Sequence, residues 1–269
     1  AQPSISLAIS EMEDYYGVKL FDRISRKLYL TENGRRALQY ARHIIDLLDE
    51  MEQGVRDVDA MGRLKVGTSI TIGTYLLPGY IKKLKQQYPA LKVEASIANS
   101  GTIEQQILDN DIDVGIIEGV AHSPFILSES FAGDRLVFIC PAGHEFAGKT
   151  LEELSEVRNQ DFILREKGSA GREIFDGILA AQELNVRPIW QSASNQVILQ
   201  GVKAGLGISI LPYFLVRQDI REGELAEFRI KDLALNRKYS VIYHKNKFLP
   251  RSARTLMELC KEGNGADRL

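Results

Sequence analysis

The chain has 269 residues, of which 44% are hydrophobic and 26% are charged, and its formal net charge is −2. These proportions indicate a soluble globular protein of one or two domains and exclude a disordered or fibrous chain. A net charge near zero also excludes a protein that is basic throughout, so any nucleic-acid-binding surface must be local.

Cysteine usage and hydropathy narrow the class of protein further. Cys140 and Cys260 belong to no CxxC pair, which argues against a metal site or a disulfide framework. No apolar run reaches the ~18–20 residues that span a membrane. We therefore expect reduced cysteines, no cofactor and a cytoplasmic location.

The first predicted element is a helix over residues 4–16. Pro3 and Ser4 are typical of a helix start, apolar residues follow at helical spacing, and Gly17 favours an end. Residues 18–23 and 27–30 then flank a turn at Ser25, and the second segment alternates, which predicts a small hairpin.

A local basic strip covers this hairpin and the start of the next helix. Between residues 19 and 42 there are seven basic residues and two acidic ones. Neutralising DNA phosphates requires such a strip. Taken alone, the pattern fits a solvated charged surface equally well.

A long helix is predicted from Thr31, a candidate N-cap, to about residue 62. Apolar residues recur at gaps of three or four, which is the seam of a coiled coil. The seam residues are Leu38, Ala41, Ile45, Leu48, Met51, Val55 and Val58. A helix of about 28 residues runs ~40 Å, so we expect it to pair with a second chain. The alternative is a surface helix lying on its own domain.

From residue 63 onward, predicted strands alternate with predicted helices, which is typical of a parallel α/β sheet. The strands are expected at 64–67, 91–97, 114–117, 136–140, 162–164, 208–211 and 239–244. The helices are expected at 75–88, 102–110, 171–184, 196–204 and 251–260. This order predicts two lobes with a cleft between them, one formed by 63–140 and 241–269 and the other by 141–240. The chain would cross between lobes near 140–141 and 240–242.

A long ungapped pattern runs through the first 34 residues. It reads Ala1-Gln2-Pro3-Ser4-x-Ser6-x-Ala8-Ile9-x-x-Met12-Glu13-x-x-x-Gly17-Val18-x-Leu20-Phe21-x-Arg23, followed by Leu28-x-Leu30-Thr31-x-x-Gly34. It resembles the winged helix-turn-helix signature of LysR-type transcriptional regulators. The likeness covers the whole chain, because a linker helix and a two-lobed α/β domain of the periplasmic-binding-protein type II complete that family's layout.

The resemblance implies a head at 1–31, a dimerisation linker at 32–62 and an effector-binding domain at 63–269. It assigns DNA contacts to the recognition helix and to the wing, namely Gln2, Pro3, Ser4 and Ser6, and Arg23, Arg26 and Lys27. The family's first two helices have no counterpart before residue 4, so we expect a truncated head. Leu7 stands where a basic residue is common in the family, so base preference is not carried over.

Three loops are candidates for the effector site, which the resemblance places in the cleft. Hydroxyls and N–H groups at 68–71 precede a helix and suit a small anion. The turn at 167–172 opens a helix and carries a cation, although an ordinary capped turn fits equally well. The loop at 192–195 would face the cleft, where Ser194 or Asn195 could instead be an N-cap. In the family, the residue that matches Thr102 often joins the effector pocket, so it is added to the residues from these loops. The candidates are Ser69, Ile70, Thr71, Thr102, Ser169, Arg172 and Asn195.

The apolar character of Ile70 and Ile72 argues against a very polar effector such as sulfate. The sequence resembles the branch of the family that includes regulators of carbon fixation and of sulfur assimilation. The expected partners are double-stranded DNA, a small effector for which an anion is one candidate, and further copies of the chain in a homodimer or homotetramer. The competing class is a two-lobed solute-binding protein or enzyme of the same fold. The four histidines of the chain match no catalytic motif, which favours a regulator over an enzyme.

Overall fold

The head consists of one helix and one hairpin. In this computed structural model, which describes residues 2–24, 27–56 and 62–262, α1 spans Gln2–Tyr16, and β1 (Phe21–Ile24) pairs antiparallel with β2 (Lys27–Leu30). Gly17 ends α1 with a φ of 65°, as its position predicts. Gly34 is also required, because a Cβ there would lie 2.0 Å from the main-chain oxygen of Leu20.

The linker helix α2 spans Glu32–Arg56. Thr31 is its N-cap, since the Thr31 hydroxyl accepts a hydrogen bond from the N–H of Gly34. None of the helices in the described ranges is both long and apolar enough to cross a membrane.

The remaining described residues form the α/β domain, which confirms the predicted fold class. Its strands are β3 (Arg63–Ser69), β4 (Lys92–Ala98), β5 (Val114–Glu118), β6 (Ile126–Pro141), β7 (Thr150–Leu151), β8 (Phe162–Arg165), β9 (Pro188–Ser192), β10 (Ser209–Pro212), β11 (Leu225–Ile230) and β12 (Asn236–His244). Its helices are α3 (Ile70–Tyr75), α4 (Leu77–Gln87), α5 (Ser100–Leu108), α6 (Ala170–Ala181), α7 (Asn195–Lys203), α8 (Tyr213–Arg221) and α9 (Arg251–Glu262).

The main sheet is mixed, where a parallel one was predicted. Strand β3 pairs parallel with β4 and β5, but β12 pairs antiparallel with both β5 and β6. The antiparallel strands arise because the chain returns from the second lobe before forming β12. The elements α3, β7, β9, α8 and β11, and the first ten residues of β6, were not predicted.

Strand β6 belongs to both lobes. Its residues 126–135 pair with β12, whereas residues 136–141 pair with β10 and β11. The change of partners therefore falls between residues 135 and 136, and the return falls at 235–236, where Leu136 N donates to Leu235 O. Both points lie about five residues earlier than the boundaries drawn from the sequence, because the apolar run at 136–140 lies in the second lobe.

A buried charge network marks this crossover. Arg237 donates to Asp134 through Nε and Nη2, at 2.5 and 2.7 Å, and to Glu118 through Nη1, at 2.8 Å. The three side chains are at most 8% exposed. Each lobe has its own apolar core beside the network, with Leu64, Leu84 and Leu256 in the first lobe and Phe162, Phe175 and Phe228 in the second.

Candidate functional site

A pocket of about 390 Å³ opens between the two lobes. One wall comes from α3 in the first lobe, and the other comes from α7, α8 and the end of β10 in the second. The lining residues are Ile70, Thr74, Tyr75, Ala193, Ser194, Asn195, Gln196, Leu199, Leu211 and Leu215. Two of the seven predicted effector residues, Ile70 and Asn195, thus line the same pocket.

Asn195 is held in place by a residue that sequence reasoning missed. The guanidinium of Arg165, which is 9% exposed, donates from Nη1 to Asn195 Oδ1 at 2.7 Å. Glu166 accepts from Nε and Nη2 of the same guanidinium, at 2.9 and 3.1 Å, and so balances its charge. Arg165 belongs to no recognised motif, since it ends an apolar strand. No signal in the sequence distinguishes it from the exposed arginines of the chain.

Arg172 is not among the residues that line the pocket, but it contacts the main chain of Arg165. Its Nε donates to both carboxylate oxygens of Asp176, at 2.8 and 2.9 Å, and its Nη1 donates to the Arg165 main-chain oxygen and to Gln191. Arg172 is 7% exposed. Its observed contacts orient strand β8 and the turn before α6.

Three predicted residues have buried hydroxyls without a partner. The side-chain oxygens of Ser69, Thr71 and Ser169 make no hydrogen bond in the described part of the chain, and the residues are only 2–4% exposed. Ser69 precedes α3, and Ser169 is the N-cap residue of α6 without a side-chain capping bond. Because buried polar atoms in native proteins are nearly always paired, each of these hydroxyls requires an explanation.

Thr102 lies where the two lobes touch. Its N–H and its hydroxyl both donate to Asn99 Oδ1 at 2.9 Å, which caps α5. The neighbouring Gly101 N donates to Gly168 O across the cleft at 3.0 Å. The loops around Thr102 and Ser169 are therefore in contact, although neither residue lines the 390 Å³ pocket.

An aromatic pair bridges the rim of the pocket. The rings of Tyr75 in α3 and Phe214 in α8 meet edge to face, with centroids 5.3 Å apart. The α8 partner was missed because that helix was not predicted. Ser194, by contrast, has the N-cap role considered from the sequence, since its hydroxyl accepts from Val197 N.

The head presents polar and basic side chains to solvent. Ser6 and Lys27 are exposed. Glu13 joins α1 to the hairpin by accepting from the N–H groups of Leu20 and Phe21, and the Lys19 ammonium lowers the pKa of Glu13. The side chains of Gln2, Pro3, Ser4 and Arg23, and the whole of Arg26, lie outside the described part of the molecule.

The predicted seam on α2 is open. Leu38, Ile45, Leu48 and Met51 are 39%, 58%, 52% and 57% exposed, and the side chain of Val55 and the whole of Val58 lie outside the described part. His43, on the opposite side of the helix, and Arg42, on its flank, contact the first lobe instead. His43 is 9% exposed and contacts Asn246 O at 2.5 Å.

Both cysteines are buried, and burial raises the pKa of the Cys140 thiol to about 11 and that of Cys260 to about 12. Neither thiol is poised for nucleophilic or redox chemistry.

Comparison with protein families gives two matches that together span nearly the whole chain. Residues 1–35 match the helix-turn-helix family of bacterial regulatory proteins of the lysR type. Residues 59–265 match the LysR substrate binding domain.

Individual relatives agree. The chain is 34% identical to the HTH-type transcriptional regulator YeiE of Escherichia coli over 98% of its length and 89% of that protein. It is 29% identical to the transcriptional activator CmpR of Synechocystis, over 96% of this chain and 85% of that one.

Solved structures share the fold. The CcmR regulatory domain of Synechocystis in complex with 2-PG has a TM-score of 0.67 at 24% identity, covering 75% of this chain and 96% of that one. A cysteine mutant of OxyR from Corynebacterium glutamicum has a TM-score of 0.64 at 22% identity, covering 97% and 84%.

Proposed function

The chain belongs to the LysR family of bacterial transcriptional regulators, and from that membership we propose a function for each of its segments. It is a DNA-binding regulator that senses a small molecule. Residues 1–31 form the reading head, 32–62 the dimerisation linker and 63–269 the effector-binding domain. The lobes of that domain divide at 135–136 and 235–236, where strand pairing changes.

The head is assigned the contacts to DNA. Ser4 and Ser6, with Gln2 and Pro3, lie at the amino end of α1, which enters a major groove. The hairpin forms the wing and brings Arg23, Arg26 and Lys27 to the phosphates. Exposure of Ser6 and Lys27 supports this assignment.

The cleft is assigned the effector, and one observation carries this part of the proposal. Ser69, Thr71 and Ser169 keep buried hydroxyls that no described residue satisfies. A ligand with oxygen atoms would supply their missing partners. Ile70 and Asn195 shape the pocket, Thr102 sits at the lobe contact, and Arg172 positions the turn before α6.

Effector binding then changes lobe closure, and α2 carries that change to the head and to DNA bending. The open seam of α2 pairs with a second copy, and two such dimers form a tetramer. The protein acts in the cytoplasm and by binding, without catalysis, since its relatives are transcriptional regulators.

A gel shift on the DNA upstream of the protein's own gene tests the proposal. We expect salt-sensitive, sequence-preferring binding that Ser6→Ala weakens while the melting temperature of the α/β domain stays unchanged. Binding that is insensitive to both sequence and salt would refute the regulator assignment. Unchanged operator affinity in Ser6→Ala would remove α1 from the interface.

A further inference from the structure

We propose that the effector presents a carbonyl or carboxylate oxygen to the amide of Asn195 and a compact apolar body to the apolar residues that line the rest of the same pocket. This inference rests on the proposed effector-sensing function and specifies the chemical class of the ligand. It assigns Arg165 as the positioning residue that makes Asn195 a hydrogen-bond donor.

The orientation of the Asn195 amide follows from chemistry. A guanidinium has only donors, so the Asn195 atom that lies 2.7 Å from Arg165 Nη1 must be the carbonyl oxygen. The NH₂ group of Asn195 is therefore directed elsewhere, and no residue in the described ranges accepts a hydrogen bond from it. Asn195 is half-buried and lines the pocket, so its donors are available to a ligand acceptor.

Arg165 fixes this orientation without adding net charge to the pocket. Glu166 binds the same guanidinium through both carboxylate oxygens. The pocket lining itself contains no charged residue. Recognition at this wall therefore uses the NH₂ dipole, which suits an oxygen acceptor and rejects an ammonium group.

The rest of the pocket lining is largely apolar. Leu199, Leu211 and Leu215 lie on the same wall as Asn195, and Ile70 and Tyr75 face them from α3, where Tyr75 also contacts Phe214. A tetrahedral inorganic oxyanion has no apolar group to place there and would leave most of the 390 Å³ unfilled. A small organic acid or carbonyl compound with a branched or aromatic body fills both parts.

Thermal-shift and calorimetric titrations of the full chain test this class, with benzoate and hexanoate as carboxylate probes and with benzylamine and inorganic sulfate as contrasts. We expect at least one carboxylate to raise the melting temperature, and neither contrast to do so. Failure of both carboxylates, or an equal shift with benzylamine or sulfate, would overturn the assignment.

Asn195→Asp removes the donor and replaces it with an acceptor oxygen that carries negative charge. Aspartate still offers an oxygen to Arg165, but it removes the NH₂ group, so carboxylate affinity should fall about tenfold or more. Gln200→Glu is the matched control, because it makes the same charge change on the same helix outside the pocket. Carboxylate affinity that survives in Asn195→Asp, or falls equally in both variants, contradicts the proposal.

Arg165 is tested by selectivity. In Arg165→Met the Asn195 amide is free to turn over, so the preference for benzoate over benzylamine should narrow, whereas Arg165→Lys keeps a donor and should retain the preference. If Arg165 only stabilises the fold, Arg165→Met should lower the affinity for benzoate and benzylamine by the same factor. That result would contradict the positioning role. Operator binding by the wild type and the same variants separates the proposed function from the proposed ligand class. If the wild type does not bind its operator, the regulator function is refuted. If it binds the operator but shows no carboxylate response, only the ligand class is refuted.

Discussion

The imidazole of His43, on the linker helix, lies 5.4 Å from the imidazole of His244, at the end of β12. His43 contacts Asn246 O, and because that oxygen can only accept, the His43 nitrogen carries the proton. His244 packs against Phe125, and Lys245 and Lys247 follow it in the chain. Burial lowers the pKa of His244, and His43, Lys245 and Lys247 lower it further.

Acidification should therefore weaken this contact between linker and sensor. A histidine whose pKa is lower when folded takes up more protons when unfolded, so its penalty is absent above the unfolded pKa of about 6.5 and grows as pH falls below it. We expect His244→Gln to lose less stability than the wild type between about pH 7.5 and about pH 5.5.

Denaturant unfolding at several pH values measures this difference. Carboxylates elsewhere titrate identically in both proteins, so they cancel in the comparison. His144→Gln is the control, because it removes a histidine of the second lobe. If the curves of unfolding free energy against pH are parallel for the wild type and His244→Gln, then protonation of His244 does not affect the contact between linker and sensor.

Ile45→Glu should break dimers. Ile45 belongs to the proposed seam and is 58% exposed in the single chain, so a dimer formed through this seam would bury a charge there without a partner. Arg36→Glu adds a negative charge on the other side of the same helix and should leave dimers intact. Sedimentation velocity distinguishes the two, and an intact Ile45→Glu dimer would rule out this seam.

Thr71→Val should abolish the effector response without a cost in stability. The Thr71 hydroxyl is buried and unpaired, so its removal should leave the free energy of unfolding unchanged or raise it by up to ~1 kcal/mol. Thr68→Val makes the same change where the hydroxyl is bonded to Ser69 O, and should cost about 1 kcal/mol while sparing the response. The readout is the melting-temperature shift with a metabolite that binds the wild type, and a normal shift in Thr71→Val would exclude this hydroxyl from the site.

Lys27→Ala should reduce the salt dependence of operator binding. If Lys27 neutralises one phosphate, the slope of log K against log salt becomes shallower by about one. Lys85→Ala removes an exposed lysine from α4 of the sensor and should not change the slope. Equal slopes for all three proteins would remove the hairpin from the interface.

Arg237→Met should destabilise the α/β domain strongly. It leaves Glu118 and Asp134 buried without their cation, which typically costs about 3–5 kcal/mol. Arg229→Met removes an arginine whose side chain is 69% exposed and should cost less than about 1 kcal/mol. Urea unfolding measures both, and similar costs would mean that the crossover network contributes little.

The sequence predicts those features that depend on local spacing. The end of α1 at Gly17, the cap at Thr31 and the strands of the first βαβ unit follow from residue order alone. Residues 126–135 escaped prediction because their polar side chains do not alternate, and they become a strand only when β12 returns to pair with them. The predicted helix 75–88 corresponds to α4, which begins at Leu77 with Pro78 in its first turn. Residues 70–75, which were expected to belong mostly to the loop before that helix, form the separate helix α3.

The candidate site follows the same division. Ile70, Thr71 and Asn195 were predicted because they lie beside helix starts. Arg165 and Phe214 were not, because their roles depend on partners 30 and 139 positions away in the chain. A pairing of that kind is a property of the folded topology, which no short window of sequence contains.

Strand β6 constrains how the two lobes can move. It is one continuous strand whose two halves pair with strands of different lobes, so the lobes cannot slide apart without breaking main-chain hydrogen bonds. Bending or twisting of the strand at the crossover would preserve those bonds. A molecule bound between the lobes would therefore change the angle between them, and the linker helix would change direction with it. Such a change alters how two DNA-binding heads fit half-sites at a fixed spacing.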